Sequence, residues 1–171
     1  MKYLLIIISF VLVSDIYSQS DTIQPPFKKI PIFPPVKLML PGNTTFTKDD
    51  LPKKKPVMLM VFSPMCEHCK KETEELIKNI DRFGKSEIVM ATMMPYDSMM
   101  SFREKYELAQ YENIIVGQDT QFFLPSFYMI TNLPFLAFYD KKGKLISFFE
   151  GSMPIEKAAA ELQKQAKSDK D

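Results

Sequence analysis

Six consecutive apolar residues, Val57-Met58-Leu59-Met60-Val61-Phe62, lead through Ser63-Pro64-Met65 into Cys66-Glu67-His68-Cys69, and the chain has no other cysteine. An unbroken apolar run of this length reads as a strand buried on both faces, which requires packing layers above and below it. The charged stretch that follows places Thr73, Leu76, Ile77, Ile80 and Phe83 at three-and-four spacing, with Glu74–Lys78 and Lys71–Glu75 four apart on the wet side. That pattern predicts an amphipathic helix from about Cys66 to Phe83. A helix start offers free N–H groups and the positive end of the dipole, which favour a thiolate at the first sulfur. Two cysteines at i and i+3 can close a disulfide in one turn. So short a crosslink constrains little, because the entropic benefit of a disulfide grows with loop length. The pair therefore suits redox cycling better than stapling.

The 171 residues, 46% hydrophobic, suffice for one well-buried domain and are too few for two. The net charge of +1 gives no reason to expect nucleic acid or an anionic membrane as partner. Lys2, the apolar run Tyr3–Val13 and the small residue Ser18 form a secretory leader over residues 1–18, with an apolar core too short for the ~20 residues of a membrane span. The domain is thus expected outside the cytoplasm, in the periplasm. It would be soluble after cleavage at Ser18, or membrane-anchored if the leader is retained. Disulfides persist in that compartment.

Eight of the 13 prolines fall between Ser20 and Pro56. Proline fixes φ and lacks a donor, so residues 19–43 are expected as an extended, solvated arm, with strand pieces at most near Val36–Leu40 and Thr44–Thr47. The folded domain would then fill 44–171. Glu87–Met93 reads as the next strand. Asp97 is expected to cap a helix with Met99, Phe102 and Tyr106 on one face, and Ile114–Val116 to form a short strand ending before Gly117. Gln121–Tyr128 is either a turn of helix or an aromatic loop. Phe135–Tyr139 and Lys144–Phe149 flank a hairpin turn with Gly143. Ser152-Met153-Pro154 opens a last helix with Ile155, Ala158, Ala159 and Leu162 inward, fading into the charged tail from Lys167. This order implies an α/β fold, a mixed sheet flanked by helices.

The strand before Cys66, the cysteine pair opening a helix, Leu133-Pro134 before the strand Phe135–Tyr139, and Lys142-Gly143-Lys144 with Gly151-Ser152 together resemble the thioredoxin superfamily. Within it, Cys66-Glu67-His68-Cys69-Lys70-Lys71-Glu72 is similar to the exported TlpA/ResA-like thiol-disulfide oxidoreductases, which insert a helix and strand before the proline loop, as Pro95–Val116 would here. The resemblance implies that Cys66 is the nucleophile and Cys69 the resolving thiol. It also implies that Pro134 is a cis-proline opposite them, and that Leu133 offers its backbone to a substrate strand. Glu72 is expected to assist proton transfer at Cys69, because Met60 stands where thioredoxins proper bury an aspartate. His68 either stabilises the Cys66 thiolate when protonated or is a spacer. Met65, Glu67 and Gly151 complete the expected substrate surface, with Met65 in place of the family's usual tryptophan.

No cofactor beyond a redox-active Cys66–Cys69 disulfide and no resident metal is expected. Partners would be protein thiols or disulfides and a membrane redox protein. Three other readings stay open: a peroxiredoxin-like peroxidase with Ser63 three before Cys66, a metal-handling module using Cys66, His68 and Cys69, and a non-catalytic binding module of the same fold. The methionines, Met93, Met94, Met99 and Met100 among them, are read as packing residues rather than copper ligands.

Overall fold

The structure is a computed structural model and describes residues 24–168. The expected leader over 1–18 and the end of the tail beyond Ser168 lie outside those residues. Seven strands form one mixed sheet in the order β2-β1-β5-β4-β3-β6-β7. They are β1 (Leu38–Met39), β2 (Thr45–Phe46), β3 (Val57–Phe62), β4 (Glu87–Thr92), β5 (Ile114–Gln118), β6 (Phe135–Tyr139) and β7 (Leu145–Glu150). β3 runs parallel to β4 and antiparallel to β6, and β4 runs parallel to β5.

Every residue of β3 is buried, and alternate side chains serve two cores. Met58, Met60 and Phe62 pack with Ile88, Met90, Leu136 and Phe138 beneath the helices α2 (Glu67–Lys78), α3 (Tyr96–Lys105) and α5 (Ile155–Ser168). Val57, Leu59 and Val61 join Val89, Ala91, Phe135, Ala137 and Tyr139 on the other face. A strand buried on both sides needs no polar alternation, which is why its sequence has none.

The arm is not a solvated linker. Phe27, in the short helix α1 (Pro26–Lys29), and Phe33, Val36, Leu38 and Phe46 are buried and cover the second face together with α4 (Phe123–Tyr128). Prolines set the extended course, but the apolar residues between them point inward, and burial of such side chains is worth ~1.5–3 kcal/mol each. The ring of Phe27 lies 4.8 Å from that of Phe148 and 5.3 Å from that of Tyr128. Tyr128 and Tyr139 hydrogen-bond through their hydroxyls deep in this layer.

Other expectations shift by local physics. α2 ends at Lys78, and a separate 3-10 turn, Ile80–Phe83, carries the chain on past Asn79. Asp97 is not a cap: Pro95 occupies the cap position of α3 and Asp97 sits in its first turn. β5 continues through Gly117, which only glycine can occupy: a Cβ there would lie 2.7 Å from Cβ of Leu38 on the neighbouring β1. Of the stretch 121–128, Phe123–Tyr128 turns into helix, and the buried Asp119 accepts the N–H groups of Gln121 (3.3 Å) and Leu124 (2.8 Å) at its start.

Candidate active site

β3 delivers the chain to Ser63-Pro64-Met65, and the Cys66 N–H donates back to the Ser63 carbonyl at 3.0 Å. Cys66 is the cap residue of α2, with its sulfur accepting the Cys69 N–H at 3.3 Å. This satisfies one of the donors that a helix start leaves open and aims the helix dipole at the sulfur. The same thiol faces the Leu133 carbonyl, 3.8 Å away, and the Leu133–Pro134 peptide bond is cis. Both cysteines are free thiols, Cys66 partly exposed and Cys69 buried. Burial, followed by the neighbouring Cys66 sulfur, pushes the Cys69 thiol up to about 12.

Glu72 follows one turn after Cys69 and is only 6% exposed. Its Oε2 accepts the Met153 N–H at 3.2 Å from the loop before α5. Burial dominates over that hydrogen bond and raises its carboxyl to about 7. A raised carboxyl binds its proton more tightly in the folded than in the unfolded state. Its stabilising contribution is therefore complete below about 4.5 and lost as pH climbs through about 7. At ~1.4 kcal/mol per pKa unit that loss is on the order of 2–3 kcal/mol. Urea titrations of wild type between pH 4.5 and 8 should show that decline, and Glu72→Gln should flatten it.

The remaining expected site residues divide. Met65 is 73% exposed beside Cys66 and forms an open apolar rim. Glu67 is exposed and paired to Lys70 (2.6 Å), and that hydrogen bond holds its carboxyl below the usual range. Gly151 donates its N–H to the Pro134 carbonyl at 2.8 Å and so fixes the loop opposite the thiols. His68 is exposed and lines a groove with Glu72, Ser152 and Met153; among the described residues no hydrogen bond joins it to either sulfur. Ser63 Oγ is engaged by the Met65 N–H at 3.2 Å. Met60 is fully buried in the same apolar cluster as Cys69.

The sequence of the chain matches the thioredoxin-like domain family over residues 47–166. The chain belongs to that family. This thioredoxin-like protein matches no curated protein in sequence. Its fold is shared with a secreted Mycobacterium tuberculosis disulfide oxidoreductase homologous to Escherichia coli DsbE, at 19% identity over 76% of this chain and 96% of the other, TM-score 0.63. The exposed lipoprotein thioredoxin Etrx1 of Streptococcus pneumoniae is 25% identical over 75% of this chain and 97% of its own, TM-score 0.56. The peroxidoxin BcpB of Mycobacterium tuberculosis is also similar, at 16% identity over 78% and 94%, TM-score 0.65. Among the described residues of the thioredoxin-like chain no helix is long and apolar enough to cross a membrane, and no group of three or more His, Cys, Asp or Glu is arranged to hold a metal ion.

One contributor escapes sequence reading. Glu150, at the end of β7, accepts hydrogen bonds from the Thr131 hydroxyl and from the Asn132 N–H (3.2 Å), clasping the loop that presents Leu133. A lone glutamate ending a strand carries no motif, and the link spans 18 residues. Glu150→Ala frees that loop. Its expected effect is roughly tenfold faster amide exchange over residues 131–133, since about 1.4 kcal/mol of positioning is lost with two charge-assisted bonds. The amides of β3 should barely change, and hydrogen–deuterium exchange of both segments checks it.

Proposed function

We propose that this protein is a thiol-disulfide oxidoreductase that exchanges disulfides with exported proteins through Cys66 and Cys69. One observation carries the reading: the outer sulfur is reachable at a helix start beside a backbone acceptor, whereas the inner thiol is buried and proton-bound. In the reducing direction the Cys66 thiolate attacks a partner S–S bond, forms a mixed disulfide and releases one partner thiolate, which takes up a proton. Cys69 then loses its proton and attacks the Cys66 sulfur, expelling the second partner thiolate and closing the Cys66–Cys69 disulfide. Two electrons pass to the partner.

Proton loss from a thiol at about 12 to a carboxylate at about 7 is uphill, so the proton leaves in step with S–S bond formation. Conversion of Cys66 to a mixed disulfide also removes the Cys66 contribution that helps hold the Cys69 thiol up. Glu72 is the base in this scheme. Leu133 supplies backbone hydrogen bonding to the partner strand, while Met65 and Glu67 line its approach. The leader-like residues 1–18 support export, and a membrane redox protein would reset the pair there.

The test is reduction of insulin by the dithiol form and oxidation of a reduced, unfolded protein by the disulfide form. Turnover in at least one direction is expected, and none in either would overturn the reading. Peroxide consumption at a comparable rate would favour the peroxidase alternative instead.

A further inference from the structure

The end of the domain remote from the thiols carries a second surface, independent of the exchange reading. There the loop before β3, the hairpin turn before β7 and the arm come together: the Phe33 N–H donates to the Gly143 carbonyl and the Leu145 N–H to the Pro31 carbonyl, both at 2.8 Å. They enclose an open cleft of about 320 Å³. Lys48, Lys53, Lys55, Lys141 and Lys142 line it with the carboxylates Asp49 and Asp140, and Asp50 and Glu87 lie just outside the lining. Asp140 is held inside the turn, its Oδ1 accepting the N–H groups of Lys142 and Lys144 at 2.8 Å. Lys55 is paired with Glu87 at 3.4 Å. In the arm Ile30 and Ile32 stand 54% and 47% exposed, and Ile32 itself lines the cleft.

We propose that this basic, isoleucine-edged pole docks on the surface of an anionic phospholipid bilayer. Lysines gain from the negative headgroup potential, and aliphatic side chains gain by entering the headgroup–acyl boundary. A nucleic acid would leave the two isoleucines in water, so the combination favours lipid. The chain's net charge of +1 conceals the pole because 22 basic and 21 acidic residues nearly cancel when summed over the whole chain. β3 begins at this cleft with Val57 and ends four residues before Cys66. At ~3.3 Å per residue that separation is about 20 Å, so docking leaves the thiols facing away from the membrane.

The experiment is sedimentation of the full chain with vesicles of phosphatidylcholine alone or mixed with phosphatidylglycerol, at low and high salt. An apolar leader binds both kinds, so the readout is the ratio of anionic to neutral binding. A ratio above about tenfold that salt abolishes is expected. Lys48→Glu/Lys53→Glu/Lys142→Glu should weaken anionic binding about a hundredfold and bring the ratio near one. Ile30→Ser/Ile32→Ser should weaken binding roughly tenfold with the anionic preference kept. Thermal unfolding of each variant verifies folding, since all five side chains are exposed. A wild-type ratio near one, or a ratio untouched by the triple charge reversal, overturns the proposal. So does lysine-dependent binding to polyglutamate without binding to vesicles, which would assign the pole to an acidic protein.

Discussion

Cys69→Ser protein, mixed with a disulfide-bearing partner, is expected to accumulate a covalent adduct through Cys66 while turnover falls at least ~1000-fold. The magnitude follows from what the inner thiol supplies. In the proposed exchange it is an intramolecular nucleophile one helical turn from the mixed disulfide, and such groups reach effective concentrations of ~10⁵ M or more, which no thiol in solution matches. Serine at that place keeps the volume and the helix but cannot close the second S–S bond. Cys66→Ser should form no adduct at all, because Cys69 is fully buried and cannot reach a partner. Non-reducing gels and mass spectrometry read both outcomes. Normal turnover by Cys69→Ser would remove the resolving role.

Phe27→Ala is expected to cost ~3–5 kcal/mol, the usual range for emptying an aromatic site in a packed core. For a domain of this size that lowers Tm by roughly 10 °C. Phe27 is 2% exposed, and its ring meets Tyr128, Phe135 and Phe148. Were the arm a solvated tether, the same change would alter stability by less than ~0.5 kcal/mol. Urea unfolding therefore decides whether the proline-rich segment is part of the folding unit.

These two predictions mark where the sequence was readable and where it was not. β3, the cysteine pair and α2 declare themselves because their signals are local: an uninterrupted apolar run, then a change to helical spacing. Leu133-Pro134 was placed by likeness to a family rather than by any periodicity. The prolines of the arm signal an extended chain, but Phe27, Phe33 and Leu38 become core only against a sheet face assembled from later residues. The expected strand Ile114–Val116 stops short of Gly117, whereas β5 runs on to Gln118, and the close passage of Leu38 demands glycine there. The Glu150 clasp and the lysine pole share that cause, for each joins segments far apart in the chain. A net charge is an average and carries no address.

The strand that carries the thiols is bonded to β4 along all six of its residues and to β6 along five. Its amides should be the last to exchange with deuterated solvent, after those of the arm and of the outer strands β2 and β7. Partial melting would then begin at the margins, and a molecule frayed there would still hold its sulfurs in register for attack.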